Sequence, residues 1–137
     1  MRLTLYTDYS LRVLIYLGIH NDRWCRVAEI AKTYGISQNH LMKVVQGLSR
    51  DKFIDSVRGP KGGIKLARDP NNINVGNLVR STEEELNLAD CETCKIAPAC
   101  LLTGIFAEGT QAMLDVFDKY TLADLMTHRK QLLKRLD

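Results

Sequence analysis

The chain has 137 residues, 45% of them hydrophobic, which is typical of one ordinary globular domain. No apolar run approaches the roughly 20 residues of a membrane-spanning helix, so we expect neither a membrane anchor nor a signal peptide, and a cytoplasmic location. Residues 1–80 carry 13 Lys or Arg and 6 Asp or Glu, a net +7, whereas residues 81–137 carry 6 and 10, a net −4. This asymmetry indicates nucleic-acid binding by the first part and another partner or ligand for the second.

Helical spacing of apolar residues predicts three helices in the first part of the chain, over 8–20, 27–34 and about 37–51. Gly35 ends the second helix, as glycine commonly does, and Ser37 is the N-cap of the third. Two helices joined by such a tight turn form the helix-turn-helix pattern, whose second helix enters the major groove of DNA.

A β-hairpin is predicted directly after the third helix. Residues 53–57 and 64–66 alternate in a strand-like way, and the Gly- and Pro-rich segment 58–63 joins them. A hairpin in this place is the wing of a winged helix. A further helix is predicted over 75–83.

The outward side of the third helix and the wing offer polar side chains suited to DNA. Gln and Asn can hydrogen-bond in pairs to adenine, Lys can reach guanine or phosphate, and a wing Arg can enter the minor groove. A solvated helix surface would show similar residues, so the prediction depends on the turn, the wing and the positive charge together. The candidate DNA-binding residues are Ser37, Gln38, Asn39, His40, Lys43, Gln46, Arg58, Lys61 and Lys65.

Three cysteines, Cys91, Cys94 and Cys100, lie within ten residues. In a reducing cytosol, such clustering indicates metal binding or redox chemistry more often than disulfides. Thiolates select zinc, Cu(I) or iron–sulfur clusters, and three of them leave one metal position for a weaker ligand, which suits a sensor. The spacing does not separate zinc from iron–sulfur. Cys25, far upstream, is expected to be a packed small residue.

The longest predicted helix covers residues 101–118. Its apolar residues recur in steps of four and three, which is a heptad seam formed by Leu102, Phe106, Gly109, Met113, Val116 and Tyr120. The seam could pack on its own domain, but a winged helix has little spare core for so long a helix, so we expect pairing with a second copy. Thr121 to Asp124 open a last short helix through a capping box, and the basic tail 129–135 is expected to fray.

The sequence therefore predicts a mostly α-helical fold with a small β-hairpin wing, built as a winged helix-turn-helix with a long C-terminal dimerisation helix. The expected divisions are a DNA-binding domain over 1–83, a cluster-binding cysteine loop over 84–100, and the dimerisation helix with its tail over 101–137. We expect no enzymatic activity, because the sequence has no Gly-rich phosphate loop and no carboxylate pair placed for acid–base catalysis.

Motifs along nearly the whole chain resemble one known family. They are Thr7–Tyr9, Ile36–Lys43, Val57–Gly59, Gly62–Ile64, the three clustered cysteines and Tyr120–Leu125. In this order they resemble the iron–sulfur winged-helix transcriptional regulators, a family that includes the nitric-oxide sensor NsrR and the regulator IscR, and the resemblance is closer to NsrR. It implies a repressor that binds a palindromic operator as a homodimer and senses nitric oxide through an iron–sulfur cluster, [4Fe–4S] in preference to [2Fe–2S].

The resemblance also implies the ligands of the cluster, namely Cys91, Cys94 and Cys100 with one residue that is not a cysteine. In some sensors of this kind an aspartate near the N-terminus of the partner chain completes the site, and Asp8 matches it, although Asp8 or Thr7 also stands at the expected N-cap of the first helix. The first two cysteines lie closer together than is usual in the family. Two alternatives stay open: an iron- or redox-status regulator of the same fold, and a zinc-stabilised structural or interaction module.

Overall fold

The computed structural model describes residues 1–136 and has the expected mostly α-helical architecture with one antiparallel hairpin. Its elements are α1 (Leu5–Ile19), α2 (Val27–Tyr34), α3 (Gln38–Arg50), β1 (Ile54–Val57), β2 (Gly63–Leu66), α4 (Val75–Thr82), α5 (Leu102–Phe117), α6 (Leu122–Leu125) and α7 (Arg129–Leu136). Across the described residues, no helix combines the length and the apolar character that crossing a membrane requires.

Helix α1 begins at Leu5, earlier than the sequence pattern indicated. The N-cap is Thr4, whose hydroxyl accepts a hydrogen bond from the Thr7 amide at 3.3 Å. The prediction that Thr7 or Asp8 caps this helix was therefore wrong. Thr7 is instead fully buried, and Tyr6 packs against the core, so the inward face of α1 extends one turn further towards the N-terminus.

Helices α2 and α3 form the predicted helix-turn-helix. Gly35 has φ 66°, a left-handed conformation that costs glycine little, and its amide donates to the carbonyls of Ala31 and Lys32. Ser37 caps α3 by accepting a hydrogen bond from the His40 amide at 3.4 Å. The inward side of α3 is buried in the main core, through Leu41, Val44, Val45 and Leu48.

The wing is an antiparallel pair in which Ile54 faces Leu66 and Val57 faces Gly63. Ile64 is buried and also bridges to Cys25, in the connection between α1 and α2. The hairpin is thus attached by backbone pairing to the helical core. Cys25 is fully buried in that core, as expected for a packed small residue.

The C-terminal segment folds back onto α1. The capping box of α6 is present, with the Thr121 amide donating to Asp124 Oδ2 at 2.8 Å, which confirms that prediction. The basic tail does not fray but forms α7. The Arg129 guanidinium donates to the Ile19 carbonyl at 2.6 and 3.1 Å, and Leu136 packs against the core, which together hold this helix in place.

Candidate DNA interface and cysteine loop

The N-terminal turns of α3 present an exposed polar face. Gln38, Asn39, Lys43 and Gln46 are all exposed, because most of the apolar residues between them turn inward. Within the described residues none of these four side chains makes a hydrogen bond, so their donors and acceptors are available to a groove of DNA. The Ser37 hydroxyl, by contrast, is used by the helix cap.

His40 differs from its neighbours on α3 because it is half-buried. Its ring meets the ring of Tyr9 on α1 edge to face, with the centroids 4.8 Å apart and the planes at 69°. This contact links the start of α3 to α1. His40 is therefore less available for base contacts than the residues around it.

The wing presents two exposed basic residues at its tip, Arg58 and Lys61. Lys65 lies further down on β2, half-buried and directly opposite Asp55 across the hairpin. The tip backbone is fixed from both sides. Arg26 donates a hydrogen bond to the Pro60 carbonyl, and Gly62 lies so close to the Val57 carbonyl that a Cβ would stand 2.0 Å from its oxygen.

A groove of about 890 Å³ separates α3 from the residues that follow α4. Lys43, Gln46 and Arg50 line the α3 side, and segment 81–85 with its three glutamates lines the other. Thr4 and Tyr6 of the N-terminal region lie between the two sides. The acidic start of the cysteine loop is therefore a neighbour of α3 across an open groove.

The three clustered cysteines lie on a loop of consecutive tight turns. The amide of Cys94 donates to the Cys91 carbonyl at 3.3 Å, that of Ala97 to Cys94 at 3.2 Å, and that of Cys100 to Ala97 at 3.2 Å. Each such bond brings residues three apart within about 7 Å. All three thiols are free, Cys94 exposed and the other two partly exposed, so the loop offers soft ligands at its surface.

The start of the cysteine loop is bonded to α5, and the end of the loop continues directly into the same helix. Near the start of the loop, the Thr110 hydroxyl donates to the Leu86 carbonyl at 3.2 Å, beside a groove of about 390 Å³ that Cys91, Phe106 and Leu114 help to line. The Arg80 guanidinium of α4 forms a two-fold ion pair with Asp118 after α5, at 2.6 and 2.8 Å. The middle of the loop, residues 92–96 with Cys94 among them, is left exposed.

Asp8 lies on α1 and is engaged in a two-fold ion pair. Both of its oxygens accept hydrogen bonds of 3.0 Å from Arg12, one turn further along. Arg12 also lies 5.9 Å from the Tyr9 ring and 5.8 Å from the Tyr34 ring, and its hydrogen bond to Asp8 raises the pKa of the guanidinium. The sequence interpretation missed Arg12, although its spacing of four from Asp8 is the usual signal for such a pair.

Residues 1–136 contain no group of three or more His, Cys, Asp or Glu side chains already arranged around a common metal position. The structure thus places the three cysteines on one loop but does not gather them with Asp8 of the same chain. Cys25 differs from the loop cysteines in exposure as well as in its place in the sequence, since it is buried and burial raises the pKa of its thiol to about 11.

Helix α5 keeps an apolar stripe at the surface of the single chain. Leu102, Val116 and Tyr120 of the predicted seam are about half exposed, at 51%, 47% and 48%, and Ile105 beside them is 55% exposed. Within α5 only Leu114 is fully buried. The helix therefore has one face on its own domain and a second, adjacent face without a partner in the single chain.

Comparison with known proteins agrees with this geometry. A family model described as Rrf2, iron-dependent transcriptional regulator, matches residues 3–128. The HTH-type transcriptional regulator NsrR of Bacillus subtilis is 44% identical over 99% of this chain and 97% of its own length, and that of Halalkalibacterium halodurans is 43% identical over 96% and 94%.

Solved structures show the same fold. CymR, the global cysteine regulator of B. subtilis, matches with a TM-score of 0.74 and 25% identity over 93% of this chain and 98% of its own. IscR of T. potens matches with a TM-score of 0.77 and 24% identity over 93% and 88%. The winged-helix architecture predicted from the sequence is thereby confirmed.

Proposed function

Because the chain belongs to the Rrf2 family of transcriptional regulators, we propose that it is a cytoplasmic repressor that binds a palindromic operator as a homodimer and releases it on sensing nitric oxide through an iron–sulfur cluster. The observation that carries the proposal is a loop with three free, accessible thiols that lies in the chain between the winged helix and α5, whose outer apolar face has no partner in the single chain. The match to NsrR regulators along nearly the whole chain supports the same function. The family membership identifies a transcriptional regulator and not an enzyme.

The cysteine loop fits an iron–sulfur cluster by the chemistry of its donors. Cys91, Cys94 and Cys100 are soft ligands, none is paired in a disulfide, and consecutive turns hold the first two close together. Asp8 of the partner subunit would supply the fourth ligand, and its ion pair with Arg12 would fix the position of the carboxylate. By resemblance we favour [4Fe–4S] over [2Fe–2S].

Dimerisation is proposed through α5. The exposed residues Leu102, Ile105 and Val116 lie on one side of α5, and exposed Tyr120 follows three residues after the helix ends. Pairing two such stripes would remove apolar surface from water and set the distance between two α3 helices. A two-fold protein of this kind requires an operator with matching symmetry.

Release of the operator is proposed to begin at the loop. When bound, an iron–sulfur cluster supplies iron atoms with which nitric oxide reacts. Loss of the thiolate ligands would let segment 84–100 relax between its two fixed ends, the Leu86–Thr110 hydrogen bond and the start of α5 after Leu101. A loss of about 3–4 kcal/mol in operator affinity would weaken binding some hundredfold or more, enough to free a promoter.

Single Cys→Ser substitutions test the cluster. We expect Cys91→Ser, Cys94→Ser and Cys100→Ser each to lower the iron and sulfide content of protein isolated without oxygen, whereas Cys25→Ser keeps both. Gel-shift titration of loaded and cluster-free protein should show about hundredfold or more tighter operator binding for the loaded form. Full cluster loading in any of the three loop variants, or equal affinities of the two forms, would defeat the proposal.

The same samples decide between the alternatives. Colourless protein with one zinc ion per chain would indicate a structural or interaction module. Operator release on cluster loss or on exposure to oxygen, but not to nitric oxide, would indicate an iron- or redox-status regulator of the same fold.

A further inference from the structure

The carboxylate of Glu83 is bonded to the beginning of α1, 79 residues away. Its Oε1 atom accepts hydrogen bonds from the Thr4 amide at 2.7 Å and from the Thr4 hydroxyl at 3.0 Å. Burial opposes ionisation, but the Thr7 and Thr4 groups around the carboxylate outweigh it and lower the pKa of Glu83. An ionised carboxylate at the N-terminus of a helix is also favoured by the helix dipole and by the free amides of the first turn.

A second, buried bond lies beside the first. The Thr7 hydroxyl donates to the Thr82 hydroxyl at 2.8 Å, and both residues are buried, at 0% and 8% exposure. Thr82 in turn donates to the Leu78 carbonyl of α4 at 2.9 Å. The last turn of α4 and the first turn of α1 are thus joined side by side, at the point where the cysteine loop begins.

The first turns of α1 also contact α3. The Tyr6 hydroxyl lies over Gly47, so close that a Cβ there would stand 1.7 Å from the hydroxyl oxygen and would displace the tyrosine ring. One turn further on, the Tyr9 ring meets His40 at the start of α3. The groove of about 890 Å³ meanwhile separates segment 81–85 from α3. The structure therefore connects the loop to the recognition helix by way of α1.

We propose that Glu83 is a positioning residue that transmits the state of the cysteine loop to α3 through the first turns of α1. The proposal rests on the proposed function, because it assumes that the loop carries the signal. A pull on the loop displaces Glu83, which loosens the Thr4 end of α1. Tyr6 and Tyr9 then lose the support that fixes them against Gly47 and His40.

Neighbouring Glu84 provides a matched control. It has the same chemistry, is exposed at the same groove, and makes no side-chain hydrogen bond among the described residues. Glu83→Gln provides a second control, since an amide oxygen can still accept from Thr4 although the charge is lost. If the hydrogen bonds matter, Glu83→Gln should resemble the wild-type protein in hydrogen exchange and operator binding, and Glu83→Ala should not.

Hydrogen exchange of the cluster-free protein tests the connection without any cofactor. We expect Glu83→Ala to speed exchange about threefold or more in peptides from 1–10 and 38–50, and to leave the α2 peptide 27–34 unchanged. Glu84→Ala should alter none of them. Thr4→Ala removes the hydroxyl donor and the N-cap of α1 together but keeps the Thr4 amide, so it should speed exchange in peptide 1–10 whether or not Glu83 couples to α3. Unchanged exchange in 38–50, or equal acceleration of α2, would overturn the proposal, since the latter indicates general destabilisation.

Operator binding gives the functional readout. The ratio of operator affinities, loaded over cluster-free, should fall about fivefold in Glu83→Ala with iron content unchanged, and Glu83→Gln should restore most of it. If the affinity ratio of Glu83→Ala equals that of the wild-type protein, the proposal is overturned. If the wild-type protein itself shows an affinity ratio of one, the proposed function fails. The exchange experiment would still decide whether Glu83 couples the loop to α3.

Discussion

Cys25 and Ile64 exchange two backbone hydrogen bonds, of 2.9 and 2.8 Å, and thereby attach the wing to the connection between α1 and α2. The residue before Ile64 is Gly63, whose φ of 146° lies in a region that side chains disfavour. A Cβ on Gly63 would stand 2.4 Å from the Cys25 carbonyl oxygen. Backbone atoms cannot move aside as the end of a side chain can, so this position requires glycine.

Gly63→Ala should therefore destabilise the protein, by about 2 kcal/mol or more, through backbone strain and loss of the Cys25–Ile64 pairing. Denaturant unfolding of the cluster-free protein measures the change. Gly104→Ala in α5 is the control, because nothing lies within 4 Å of a Cβ there and alanine is the better helix former by about 0.5–1 kcal/mol. Unaltered stability of Gly63→Ala would contradict the proposed role of this close approach.

Lys43 and Gln38 should affect DNA binding in different ways. Lys43→Ala is expected to weaken binding to all sequences and to reduce the slope of log affinity against log salt by about 1, as the loss of one phosphate contact does. Gln38→Ala should cost about 1–3 kcal/mol on the operator and little on unrelated DNA. Fluorescence anisotropy at several salt concentrations separates the two effects. Lys119→Ala makes an equal change of charge after α5 and should leave both the operator affinity and the salt slope unchanged. If it weakens binding as much as Lys43→Ala does, the effect is one of net charge only.

Val116→Lys should weaken self-association, because a lysine placed in a paired apolar stripe loses its hydration. We expect a dissociation constant raised about thirtyfold or more, corresponding to about 2 kcal/mol. Sedimentation equilibrium measures it. Gln111→Lys places the same charge on the polar side of α5, near Asp115, and should leave association unchanged. A stable dimer of Val116→Lys would place the interface elsewhere.

The Cys25 thiol should not react with alkylating reagents until the protein unfolds. Burial raises the pKa of its thiol to about 11, so at pH 8 only about one molecule in a thousand carries the thiolate. Iodoacetamide should therefore modify the three loop cysteines of cluster-free protein, and Cys25 only in denaturant, as read by peptide mass spectrometry. Because this pKa is higher in the folded than in the unfolded chain, the free energy of unfolding should fall as pH rises from about 9 to about 11, less so in Cys25→Ala. Rapid native modification of Cys25 at pH 8 would contradict its burial.

Local signals predicted most of the fold. The Gly35 turn, the Ser37 cap and the Thr121 capping box depend on residues a few positions apart, and each forms as expected. Two predictions were wrong for a common reason: the start of α1, and the fraying of the basic tail, which instead forms α7. Both depend on contacts between distant segments, such as Arg129 with the Ile19 carbonyl, which no local pattern reveals.

The candidate site was predictable in its residue types but not in its connections. The exposed face of α3 and the cysteine loop follow from spacing alone. The packing of His40 on Tyr9 does not, because it depends on how α1 crosses α3. The bond from Thr4 to Glu83 could not be predicted either. Three glutamates follow one another there, and the path of the chain after α4 determines which of them reaches Thr4.

Helix α1 receives an acidic residue at its beginning and a basic one at its end, Glu83 at Thr4 and Arg129 at Ile19, both supplied by distant parts of the chain. Each has the sign that the helix dipole favours there. During synthesis, however, α1 leaves the ribosome long before either residue exists. The first helix to be made is therefore among the last to be completed, because the contact at its C-terminal end forms only after Arg129 has left the ribosome.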